Sequence, residues 1–108
     1  MAIPHAKSGE VIDIRPLGAA LAQARTTTLV KTKTLEIIRL VIPSGKDIPG
    51  HHAHGEITVQ CLEGRVAFTV GDIRRDLEAG HLLYLSSEQS HSLRGIEDAS
   101  VLLTILLR

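Results

Sequence analysis

The feature that most constrains this chain is how often it is told to turn. After Thr26, runs rich in Leu, Ile, Val and Thr are cut every six to twelve residues by Pro43-Ser44-Gly45, Glu63-Gly64, Gly71-Asp72 and Glu78-Ala79-Gly80. Short aliphatic and β-branched runs punctuated in this way read as strands. The pattern predicts strands at Thr26 to Thr32, Leu35 to Ile42, Ile57 to Leu62, Arg65 to Val70, Ile73 to Leu77, Leu82 to Leu85, His91 to Arg94 and Ser100 to Leu107. Alternation around Asp13 adds an edge strand at Glu10 to Ile14, ended by Pro16, which has no donor for a ladder. Nine short strands so spaced predict an all-β sandwich or barrel. Leu17 to Ala24 is the one candidate helix, weakened by Gly18, and a surface turn packed over one barrel end is its competing reading.

A chain of 108 residues fits one domain, with 1–25 as the N-terminal strand and short helix or turn, and 26–108 as the barrel. Twelve basic residues balance twelve acidic ones, no basic patch is present, and only Phe68 and Tyr84 could stack on bases. Nucleic acid is therefore excluded as an expected partner. The single cysteine, Cys61, allows no internal disulfide, and its parity with Ile57 and Val59 predicts a buried thiol facing the barrel interior. The N-terminus lacks the apolar core of a signal peptide. The longest apolar run, Val101 to Leu107, is broken by Thr104 and is too short to span a bilayer. The expectation is a cytoplasmic protein without a membrane partner. That same C-terminal strand is apolar on both faces, so both faces should be covered. A homodimer is expected, with cover by Leu17 to Ala24 as the alternative.

Six histidines are present, and three of them fall within His51-His52-Ala53-His54. Imidazole is the commonest side-chain ligand for transition metals. His52 and His54 have the i, i+2 spacing that shares one strand face. A site also needs ligands from elsewhere, and His91 at the head of a later strand is the candidate. Together His51, His52, His54 and His91 form the candidate metal set. Three neutral imidazoles suffice to hold a catalytic metal and leave a position open, and a metal-free histidine cluster at a barrel mouth is the competing reading. Glu56, Glu88 and Tyr84 are the candidate proton carriers nearby, while His5 and His81 have no evident partner.

Two stretches resemble the signature motifs of the cupin superfamily, of the RmlC-like jelly-roll kind. The first motif reads glycine, five residues, His-x-His, three or four residues, glutamate, six residues, glycine. It resembles Gly45 to Gly64, GKDIPGHHAHGEITVQCLEG. The second, ending in proline, glycine, histidine and asparagine at fixed spacings, resembles Gly80 to Gly95, GHLLYLSSEQSHSLRG. The glycine and turn framework matches well, and His51 and His91 fall in strict register. Ala53 stands where the second histidine belongs and Ile57 where the glutamate belongs, while Ser86, Glu88 and Gly95 replace the proline, glycine and asparagine. The resemblance implies a double-stranded β-helix, a cupin jelly-roll barrel whose inner face commonly holds one divalent transition metal such as Zn, Ni, Fe or Mn. It also implies a range of functions without choosing among them. A metal-dependent dioxygenase or isomerase acting on a small molecule is one. A barrel that binds a small apolar ligand without catalysis, or a vestigial pocket, are the others. The scarcity of aromatic residues argues against sugars and for a small apolar ligand.

Overall fold

The computed structural model describes residues 5–52, 55–86 and 89–107, with the backbone path alone for residues 49–52. Among the described residues nine strands follow one another as β1 (Thr27–Lys31), β2 (Leu35–Ile42), β3 (Asp47–His52), β4 (Ile57–Glu63), β5 (Arg65–Val70), β6 (Ile73–Glu78), β7 (Leu82–Leu85), β8 (Ser90–Gly95) and β9 (Ala99–Leu106). They form a five-stranded sheet in the order β1-β2-β9-β4-β7 and a four-stranded sheet in the order β3-β8-β5-β6. Every pairing is antiparallel. Among the described residues no helix is long and apolar enough to cross a membrane.

Alternation places one face of each strand inside. Ile57, Val59 and Cys61 of β4, Val101 and Leu103 of β9, Val66 and Phe68 of β5 and Leu93 of β8 form one buried cluster. Ile38, Leu40 and Ile105 pack against it. Aliphatic residues fill this core around a single aromatic ring, as the composition predicts. Cys61 is fully buried, as its parity predicts.

Backbone approaches backbone closely at both ends, at Gly55 against Leu106 on the His91 side and at Gly95 and Gly64 on the other, the closed end. A Cβ on Gly95 would stand 2.3 Å from the Pro43 carbonyl oxygen, and one on Gly64 would stand 2.0 Å from that of Asp98. Gly64 also needs its φ of 77°, which glycine alone adopts readily. The Pro43–Gly45 turn is then locked down, because Gly45 N–H donates to the Gly95 carbonyl and Ser44 N–H donates to Asp98.

Two elements differ from the sequence expectation. Residues 10–14 form no strand: Val11 is 97% exposed, and the Asp13 carbonyl accepts from the Arg39 guanidinium rather than from a ladder. Conversely β3 forms over Asp47–His52, where the sequence pattern places no strand, and runs through Pro49 and Gly50. Proline is tolerated there because β3 is an edge strand, and its pairing with β8 skips between Ile48 and His51. Residues 18–23 make a 3₁₀ helix with no buried residue.

This N-terminal segment is held by one carboxylate. A bulge between Cys61 and Glu63 turns Glu63 to the outer face, opposite Ser100. Glu63 accepts from the amides of Leu17 and Gly18 at 2.8 and 3.0 Å and from the Ser100 hydroxyl. Burial alone would push the Glu63 carboxyl up, but these three donors and the nearby Arg39 outweigh it and hold the carboxyl below its usual value.

Candidate functional site

The end opposite Gly95 and Gly64 is the barrel mouth. Gly95 of β8 lies against the Pro43 end of β2, so the other end of β8, where His91 sits, belongs to the mouth. In the β3–β8 ladder His51 occupies the rung opposite His91, and His52 the next rung, opposite Ser90. The strict register of the two motif histidines is therefore a physical cross-strand pair of positions. His54 and Glu88 lie outside the described residues.

His91 is 3% exposed, and its ring stacks on Phe68 with centroids 5.3 Å apart and planes 11° from parallel. Its Nδ1 lies 3.3 Å from the Gln89 carbonyl. A carbonyl can only accept, so this contact is met by the tautomer with its proton on Nδ1 and its lone pair on Nε2. A metal-binding imidazole is commonly oriented in just this way, by a carbonyl on its other nitrogen. The donor chemistry at His91 thus fits a divalent transition metal, with His51, His52 and His54 as the further sequence candidates. Among the described residues no group of three or more His, Cys, Asp or Glu side chains is arranged to hold a metal.

The other candidates fall elsewhere. Tyr84 is not a wall of the barrel: it stands on the outer face, paired in register with Thr58, and donates to Glu56 at 2.5 Å. That carboxylate raises the phenol above its ordinary value and keeps it protonated. Glu56 is thereby engaged outside the barrel rather than beside His91. His81 is not unpartnered, since its Nδ1 accepts from the Glu78 amide across the turn. Cys61 stands at the closed end, on the rung of Val101, and burial pushes its thiol up, so it is a packing residue rather than a nucleophile or mouth ligand.

Sequence reading missed two charged residues at the mouth. Glu36 lies on the rung of Ile105, which lies on the rung of Ile57, which pairs with Leu85. Directly paired residues share a face, so Glu36 faces inward with the buried Ile57 and Leu85. Lys31 of β1 pairs with Glu36 in register, and its Nζ stands 3.4 Å from the carboxylate. The available signal was parity, because Glu36 alternates with Ile38, Leu40 and Ile42 in a strand read as simply buried.

No family model and no curated protein matches the sequence. Solved structures do match. A cupin superfamily protein from Desulfitobacterium hafniense DCB-2 superposes with a TM-score of 0.79 at 20% identity, over 95% of this chain and 100% of that one. An RmlC-like cupin family protein with a double-stranded β-helix fold from Methanocaldococcus jannaschii gives 0.75 at 16% identity, over 92% and 94%. A predicted oxalate decarboxylase from Thermotoga maritima gives 0.69 at 23% identity, over 77% and 79%. The chain has the cupin fold, an all-β double-stranded β-helix.

Proposed function

We propose that this barrel binds a divalent transition metal at its mouth through His91 and histidines of the 51–54 cluster, and takes a small organic ligand with an apolar body beside it. Two observations carry the reading: His51 and His91 share a rung, and the Gln89 carbonyl lies 3.3 Å from His91 Nδ1, where a neutral ring protonated on Nδ1 would keep Nε2 for a metal. The bound metal would supply Lewis-acid chemistry with a position left open for the ligand. The chain's own groups do the rest. Phe68 fixes the imidazole plane, and the partly exposed Ile38 and Ile105 form the apolar wall over the buried Ile57 and Leu85. A non-catalytic ligand-binding barrel is the second reading, favoured because Glu56 and Tyr84 bond to each other on the outer face instead of lining the mouth. The similarity to a predicted oxalate decarboxylase is consistent with a metal site but does not choose a reaction.

Elemental analysis of protein purified without chelators tests this. The wild type should carry about one equivalent of Zn, Ni, Fe or Mn, and His91→Ala should lose it. Wild-type protein that holds no metal and takes none up would sink the reading.

We also infer a homodimer formed through the outer face of the five-stranded sheet. Its mouth-side rows present Ile37, Thr58, Tyr84 and Thr104, then Leu35 and Leu106, with Glu56 beside them neutralised in part by the Tyr84 hydroxyl it accepts from. The outer face of the four-stranded sheet instead carries the ion pairs Arg65–Glu78, Arg74–Asp76 and Arg94–Asp47. The 3₁₀ helix covers neither row, since Glu63 anchors its start at the closed end. A second copy offering the same mainly uncharged rows across a two-fold axis is the occupant that fits. Light scattering should give a dimer that Leu35→Glu with Leu106→Glu converts to monomer, and a monomeric wild type at tens of micromolar would refute it.

A further inference from the structure

The mouth holds an ion pair that the metal reading does not use. On the inner faces of β2, β9 and β4 every residue is apolar except Glu36. A carboxylate on such a face costs free energy unless something opposes its charge. Lys31 does so, but at 3.4 Å and from the rim, with its side chain 47% exposed while that of Glu36 is 20% exposed. The pair is thus a fixed dipole, negative end inward and positive end toward water, set against the apolar wall of Ile38, Ile57 and Ile105. Two strand spacings, roughly 10 Å, separate Glu36 from the rung position of Ile57, where the resemblance looks for a carboxylate.

We propose that Lys31 and Glu36 form the head-group site of the mouth and that it takes a small zwitterion with an apolar body, such as an aliphatic α-amino acid. The argument is one of charge. An anion that approached Lys31 would meet Glu36 as well, and a cation at Glu36 would meet Lys31. Because energy falls as the inverse of distance, the far charge removes roughly half of the attraction that the near one offers a singly charged ligand. A zwitterion with its carboxylate toward Lys31 and its ammonium toward Glu36 gains at both ends. Its side chain then lies along the isoleucine wall and replaces water there. The proposal rests on the reading of the mouth as a ligand site, but not on the presence of the metal.

Calorimetric titration with L-leucine tests it, with 4-methylpentanoate and 3-methylbutylamine as the singly charged controls. Wild-type protein should bind leucine at least about tenfold more tightly than either control, a difference of about 1.4 kcal/mol. Glu36→Gln and Lys31→Met should each weaken leucine binding about tenfold, with thermal melting unchanged to show that the barrel is intact. Equal binding of leucine and the controls, or leucine binding untouched by both substitutions, would overturn the proposal, as would wild type that ignores leucine. Metal content measured on the same samples separates the two ideas. Metal lost in His91→Ala beside indifference to leucine defeats the head-group site alone, whereas leucine bound by a wild type that takes up no metal defeats the histidine reading alone.

Discussion

The two ends of this barrel are made from the same strands, and both use a glycine in close backbone contact, Gly95 and Gly64 at one and Gly55 at the other, but they differ in what lines the interior. At the closed end, glycines let main chain touch main chain, Cys61, Ala99 and Val101 are wholly buried, and Ser100 and Glu63 satisfy each other beneath the 3₁₀ helix. At the mouth, the inner face turns to histidine, glutamate and lysine. Polar groups in an interior cost stability unless paired, so the closed end must supply the stability that the mouth forgoes. The fold is a rigid base that carries a chemically demanding rim.

Substitutions can break that contrast in order of size. At the closed end Gly95→Ala should have the largest effect. Gly95 has an ordinary φ, so the loss isolates packing against Pro43, and a cost above about 4 kcal/mol or failure to fold is expected by denaturant titration. Phe68→Ala comes next, at about 3–5 kcal/mol. Phe68 also carries the contrast across the barrel, since its ring lies in the core and against His91; metal affinity should fall along with stability. Glu63→Gln should cost about 1.5–3 kcal/mol, because a charged acceptor of three hydrogen bonds is removed. Glu36→Gln should change stability by about 0.5 kcal/mol or less, because it disturbs one partly exposed pair at the open rim. A large loss at Glu36 would erase the distinction between the ends.

Glu63 also sets a pH dependence. Its carboxyl is held below its usual value in the folded chain, so the unfolded chain takes up the proton first as pH falls. Its contribution is present above the ordinary carboxylate value near 4.5 and fades as pH drops through the lower folded-state value. Chemical denaturation between pH 6 and 3 should show acid loss of stability that shrinks in Glu63→Gln.

The closed end was the legible one. Glycine-bearing turns and uniform aliphatic runs announce β2, β4, β5 and β9 directly, and Cys61 follows by parity. The mouth hid for physical reasons. Pro49 and Gly50 look like a break because the rule against proline in strands relaxes at an edge, and β3 is an edge. Glu10 to Ile14 alternate like a strand, yet a strand needs a neighbour with unspent donors, and the Asp13 carbonyl is taken by a side chain. Lys31 and Glu36 are far from the histidines in sequence, and only the rungs through β9 to β4 carry them to the same end.

Cys61 gives the sealed end a clock of its own. It is the chain's one thiol, wholly enclosed and held protonated by burial. A thiol reagent can modify it only when the closed end opens, so labelling rate counts those openings one molecule at a time. With reagent concentrated enough to outpace reclosing, native protein thereby reports the frequency with which its base comes apart, without an added dye or an engineered probe.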